Sequence, residues 1–168
     1  MENERLTSIN PYNRARLRKA VVDEIANGKA DFNCAVTLTF PMRIWDRSYA
    51  QKRCKIFRNK YNKALGFSKN HDWDARCDKQ LSAPFAAFIE GDGEQKHFHY
   101  HIAMHRPANY SLDEYQKLIK QLWEEALHVE EARVTVKHVY DRGWAEYMTK
   151  EFAPGDADAI DEMNYNVF

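Results

Sequence analysis

Polar and apolar positions alternate strictly from His97 to Ile102, placing His97, His99 and His101 on one side of a strand and Phe98, Tyr100, Ile102 and, two residues on, Met104 on the other. A strand packed by one face ordinarily shows mixed polar residues outward, so a polar face made only of histidine calls for a chemical reason. Alternation also runs through Cys34 to Phe40 (CAVTLTF), which is β-branched and stops at Pro41, and through Ala132 to Tyr140 (ARVTVKHVY). Phe85 to Glu90 is a short apolar run that predicts a further strand. Gly91-Asp92-Gly93-Glu94 supplies the turn that would pair it with the histidine strand as a hairpin.

Helical spacing fills the gaps between these strands. Asn10-Pro11 and Gly28 bracket a helix over 11–27, with a capping residue and proline at its start and glycine past its end. From Arg43 to Lys63 the residues Trp45, Tyr49, Ile56, Phe57 and Tyr61, followed by Leu65, recur near every third or fourth position, which predicts an amphipathic helix. Ser111-Leu112-Asp113-Glu114 is a capping box opening a helix that runs to about His128. A short last helix spans about 144–152, with Trp144, Met148 and Phe152 as its core stripe, while the polar segment His71 to Gln80 reads as a loop.

The order strand, helix, strand, strand, helix, strand, with a helix added at each end, is the split βαβ arrangement. It predicts an α+β fold, ferredoxin-like, in which one antiparallel sheet is packed by helices. One domain accounts for residues 1–152. Residues 153–168 read as an acidic C-terminal tail, which Tyr165 and Phe168 could dock onto the body. A chain of 168 residues suits this single-domain plan.

Composition narrows the setting. Cys34, Cys54 and Cys77 form no CxxC pair and leave an odd count, against a disulfide framework or a cysteine zinc site and in favour of a reducing compartment. The charged start Met1-Glu2-Asn3-Glu4-Arg5 has no apolar stretch behind it, and no run approaches a membrane span, so a cytoplasmic protein with no membrane partner is expected. The formal net charge of zero conceals segregation. Arg43, Arg47, Lys52, Arg53, Lys55, Arg58, Lys60 and Lys63 stand against Asp46 alone, whereas the end of the chain carries Glu151, Asp156, Asp158, Asp161 and Glu162. A positive helix face suits a phosphate backbone, and Arg47, Lys52, Arg53, Lys55, Arg58, Lys60 and Lys63 are its candidate DNA contacts. The competing reading is an ordinary solvated helix surface.

Two imidazoles two positions apart on a strand can converge on one metal ion. If the hairpin turn spans Gly91 to Lys96, Glu90 lies near His97 and diagonal to His99, completing a site of two imidazoles and a carboxylate with open positions. Asp92 and Glu94 are rival donors, and a register slip of one residue would turn Glu90 to the other face. On the last helix Tyr147 falls about 100° from the apolar stripe. Lys150, three residues on, is its neighbour, and an ammonium there favours the phenolate. The plainer reading of Tyr147 is a half-buried side chain with its hydroxyl in water.

Val36-Thr37-Leu38-Thr39-Phe40, then His99-Tyr100-His101-Ile102-Ala103-Met104, then Tyr147-Met148-Thr149-Lys150 resembles, in this order, the three motifs of HUH endonucleases of the rolling-circle replication initiator type. The resemblance spans about residues 34–152. It points to His99 and His101 as the metal pair, to His97 as an extra preceding histidine and alternative ligand, and to Tyr147 and Lys150 as the YxxK motif. It implies a nicking and joining enzyme that cuts single-stranded DNA at a specific site, leaving a 5′-phosphotyrosine link and a free 3′-hydroxyl. The implied cofactor is Mg²⁺ or Mn²⁺ on His99, His101 and Glu90. The implied partners are single-stranded DNA at a plasmid or phage origin, a hairpin being one form of it, and a host helicase and polymerase. Gly143 and Glu151 flank Tyr147 by one turn, so no second tyrosine is at hand, and no GxxxxGK[ST] loop marks a helicase domain. A transposase or relaxase of the same superfamily is a close rival reading. An RRM-like binding domain would instead place aromatics where the histidines stand. A small metal-binding or hydrolytic protein would leave the basic helix unexplained.

Overall fold

The computed structural model describes residues 11–28, 30–67, 82–91, 97–139, 141–149 and 159–166. The elements in chain order are α1 (Pro11–Asn27), β1 (Cys34–Thr39), α2 (Arg47–Ala64), β2 (Phe85–Glu90), β3 (His99–Met104), α3 (Leu112–Leu127), β4 (Arg133–His138), α4 (Arg142–Met148) and β5 (Ile160–Asn166). The five strands form one antiparallel sheet in the order β4-β1-β3-β2-β5, so the α+β split βαβ arrangement is present with an additional edge strand. Among the described residues no helix is long and apolar enough to cross a membrane.

Alternation along the strands sorts the core into two layers. Cys34, Val36, Leu38, Tyr100, Ile102 and Met104 point to the side covered by α2 and α3. There Phe57 and Trp123 meet edge to face, with ring centroids 5.8 Å apart, and Trp123 donates its indole N–H to the Thr39 carbonyl at 3.2 Å. On the opposite side Ala86, Phe88 and Ala103 are covered by Val21, Val22 and Ile25 of α1 and by Ala145 and Met148 of α4. The histidine strand is therefore buried on both faces rather than one, and His101 is buried with it.

Local chemistry sets the helix ends. Ser111 and Glu114 form the expected capping box of α3, and His128 closes that helix in the left-handed conformation at φ 57°. The basic helix begins later than its periodicity predicts. The Asp46 carboxylate accepts the Ser48 N–H at 2.8 Å and caps α2, which leaves Arg43 and Trp45 in the preceding loop with the guanidinium 3.7 Å from the indole centroid.

The C-terminal stretch departs most from expectation. Residues 160–166 are a strand, not a tail: the strand pairs with β2, and two polar residues in it, Asp161 and Asn164, are buried and hydrogen-bonded to the body. Asp161 accepts from the Tyr100 hydroxyl at 2.9 Å, from Asn164 Nδ2 at 2.7 Å and from Gln51 Nε2 at 3.3 Å. Burial, above all, pushes the Tyr100 hydroxyl far above the ordinary tyrosine range and keeps it a donor. Tyr165 packs edge to face on Phe88 at 6.1 Å on the other side of the sheet, and its hydroxyl is pushed up to about 12, mainly by burial.

Removing the Asp161 acceptor leaves buried donors unpaired. Asp161→Ala is expected to cost about 2–4 kcal/mol in urea unfolding. Stability within about 0.5 kcal/mol of the unsubstituted protein, the range of an ordinary surface change, would show that β5 is not anchored in this way.

Candidate active site

Glu90 ends β2 and stands directly opposite His99 of β3, with Phe88 opposite His101. The expected pairing put Glu90 beside His97 instead. The connection is two residues longer than the turn read from the sequence, so parity is kept and Glu90 stays on the histidine face. His97 precedes β3 and is exposed, and among the described residues the group able to hold a metal ion is Glu90, His99 and His101 without it. Its contribution is the backbone carbonyl, which accepts the His99 Nδ1–H at 3.0 Å. Asp92 and Glu94, the rival donors, lie outside the described residues.

Gly91 makes that arrangement possible. It adopts φ +105°, and a Cβ there would lie 2.3 Å from the His97 carbonyl oxygen. The chain thus brings the His97 carbonyl to the imidazole that needs orienting. Because a carbonyl only accepts, His99 carries its proton on Nδ1 and presents Nε2 inward. His101 is also held through Nδ1, which lies 3.2 Å from the Thr37 hydroxyl on the neighbouring strand. Both rings are therefore fixed from behind, as metal-binding histidines generally are.

The two Nε2 atoms converge on one carboxylate oxygen, Glu90 Oε2, at 3.2 Å from His99 and 3.4 Å from His101. The imidazoles meet nearly perpendicular, 5.0 Å between centroids. One ligand atom from each of the three residues lies within 4.8 Å of the others, and Glu90 and His101 are buried. Two imidazole nitrogens and one carboxylate oxygen on one side of a point suit a divalent ion that keeps positions for water or substrate. The group could hold such an ion.

The site opens into a groove of about 340 Å³ whose walls include His99, His101, Thr135, Lys137, Trp144 and Tyr147. Tyr147 is 55% exposed, and its ring lies edge-on to His101 with centroids 5.9 Å apart. Its helix is short and is held by α1. Arg142 pairs with Asp23 at 2.6 Å, and Arg18 donates to the Glu146 carbonyl at 3.0 Å and to the Thr149 hydroxyl at 3.3 Å. Asp141 caps the helix start through the Trp144 N–H. Met148 is buried and Trp144 packs half-buried against the same core layer, as the expected stripe has them, and Ala145 is buried beside them. Phe152 and Lys150 lie outside the described residues.

The candidate DNA-contacting helix lies elsewhere. Ala50, Cys54, Phe57 and Tyr61 seat α2 on the sheet face opposite the histidines. Several of its cations are engaged, Lys60 with Glu125 at 2.8 Å, Arg53 with the Ala126 carbonyl at 3.1 Å and with the Tyr49 ring. Arg47, Lys55 and Arg58 are half buried, and Lys52 and Lys63 are exposed. The structure does not bring Arg47, Lys52, Arg53, Lys55, Arg58, Lys60 and Lys63 together with the metal-ligating group. The groove residues missed by sequence reading, Thr135 and Lys137, had a legible signal. They are the polar positions of the alternating strand ARVTVKHVY, and only its pairing with β1 shows which face they share.

Mn²⁺ at 100 times its dissociation constant should stabilise the protein by about 2.7 kcal/mol in a thermal melt. Glu90→Gln and His101→Ala should abolish the shift, and Gly91→Val should weaken it although Gly91 supplies no ligand. An undiminished shift in Glu90→Gln would place the ion elsewhere. No protein-family model, curated protein or solved structure matches the chain.

Proposed function

We propose that this chain is a metal-dependent nicking and joining enzyme for single-stranded DNA, of the HUH type, that initiates rolling-circle replication of a plasmid or phage. The observation that carries this reading is that both histidines of the Glu90-His99-His101 group line one groove with an exposed tyrosine. A lone exposed tyrosine is common, and so is a hydrogen-bonded histidine pair. Together, with the tyrosine ring 5.9 Å from a ligand imidazole, they fit covalent phosphoryl transfer.

In this reading Tyr147 Oη attacks the phosphorus of the scissile phosphodiester, the bond from phosphorus to the 3′ oxygen breaks, and the phenolic proton is lost as the departing 3′ oxygen gains one. The products are a 5′-phosphotyrosine and a free 3′-hydroxyl, and reversal by another 3′-hydroxyl rejoins the strand. A Mg²⁺ or Mn²⁺ ion on Glu90, His99 and His101 would supply polarisation of the phosphate oxygens. His97 and Thr37 orient the two imidazoles, and the clamp of Arg18, Asp23 and Arg142 on α4 holds the nucleophile against the groove. Lys150, by its place three residues after Tyr147, is the cation assigned to the phosphate or phenolate. Origin recognition, helicase and polymerase partners follow from the same reading.

A pool of single-stranded oligonucleotides labelled at the 3′ end, incubated with Mn²⁺, should yield a denaturant-resistant adduct carrying the label. Tyr147→Phe should yield none, and Glu90→Gln should slow its formation by about 100-fold or more. Failure to form the adduct with either Mg²⁺ or Mn²⁺ across the pool, or an adduct formed by Tyr147→Phe, would overturn the assignment.

A further inference from the structure

The strand register places a row of polar side chains beside the site that the nicking reading does not use. In β4, Arg133 pairs with Thr39, Thr135 with Thr37 and Lys137 with Ala35; in turn Thr39 pairs with His99, Thr37 with His101 and Ala35 with Ala103. Side chains directly across a ladder share a face, so Arg133, Thr135 and Lys137 project to the same side as His99 and His101. All three are exposed, and Val134 and Val136 between them face the other layer. The row runs parallel to the histidine strand, two strands away, or about 10 Å.

We propose that this face of β4 is the track for the sugar-phosphate backbone of the bound single strand, in place of the basic helix α2. The identity of the ligand rests on the nicking reading. Three features of the molecule support the track. Lys137 and Thr135 line the same groove as His101 and Tyr147, so a strand whose scissile phosphate sits at the histidines extends onto them without leaving the groove. Arg133 and Lys137 have no ion pair among the described residues, whereas Lys60 is paired with Glu125 and Arg53 is spent on the Ala126 carbonyl and the Tyr49 ring. Finally, α2 is seated on the far side of the sheet, where its cations cannot follow a backbone held at Tyr147 without the strand passing round the sheet edge.

Charges on an edge strand also serve to block pairing with another sheet, and that role alone would leave DNA affinity untouched. From Arg133 to Lys137 the Cα atoms span about 13 Å, room for more than one backbone phosphate, with the Thr135 hydroxyl between the two cations as a hydrogen-bond donor. Contacts of this kind position the strand without reading its sequence. They make affinity fall with salt by a slope that counts the phosphates neutralised.

The test is the salt dependence of binding to a fluorescein-labelled, mixed-sequence single-stranded oligonucleotide, measured by anisotropy in EDTA on the full chain carrying Tyr147→Phe. Replacing both cations, Arg133→Ala with Lys137→Ala, is expected to reduce the slope of log K against log salt by about 1.4, since each lost phosphate contact is worth about 0.7. The charge-keeping pair Arg133→Lys with Lys137→Arg should retain the slope, which separates charge from folding, and Lys137→Gln alone should reduce it by about 0.7, half of the change in the double variant. Lys52→Ala with Lys63→Ala on α2 is the competing arm. The track is overturned if the β4 alanine pair keeps the parent slope, or if the α2 pair loses as much. Absence of any single-strand binding at low salt would instead overturn the nicking reading itself, and the track with it.

Discussion

The convergence of His99 and His101 on one oxygen of Glu90 is the interaction around which the site is built, and it exists only because β2 and β3 pair in one register. Glu90 opposes His99, so a carboxylate at the last position of one strand meets the first imidazole of the next. A shift of one residue would turn the carboxylate into the layer of Tyr100 and Ile102, away from both imidazoles. Gly91 secures the register locally, since its positive φ and missing Cβ let the His97 carbonyl approach and orient the first ring.

The rest of the fold supports that pairing from both sides. On one face, aromatic packing of Phe40, Phe57 and Trp123 ties β1, α2 and α3 together. The other face is covered by α1 and α4, and that cover ends where the histidines begin, so the same helix that closes the core carries Tyr147 to the groove. β5 adds the outermost pairing to β2, anchored through Asp161 to Tyr100 of the histidine strand. Rigid support on three neighbouring strands and two helices is what a site needs to hold an ion and a nucleophile at fixed separation.

Much of this was legible in the sequence because it rests on short-range chemistry. The alternation of CAVTLTF and of the histidine strand, the capping box at Ser111 and Glu114, and the Gly91 turn each specify their element within a few residues. Alternation and the hairpin bring His97, His99, His101 and Glu90 to one place, with Asp92 and Glu94 as rival donors, and the resemblance to HUH endonucleases singles out His99 and His101. What was not legible depends on distant partners. The length of the β2–β3 connection set the register by two residues, and Asp161 reads as a tail charge until Tyr100, Gln51 and Asn164 are seen around it. Composition drew attention to α2, but charge along a sequence does not say which side of the sheet a helix covers. That knowledge comes from Ala50, Cys54 and Phe57 packing against the layer opposite the histidines.

The central claim is that Glu90, His99 and His101 hold one divalent ion beside Tyr147, and anomalous diffraction from a crystal grown with Mn²⁺ tests it most directly. The account predicts a single strong peak about 2.0–2.3 Å from Nε2 of His99, Nε2 of His101 and a carboxylate oxygen of Glu90. A peak at other residues, or none at these three when the ion is saturating, would contradict it.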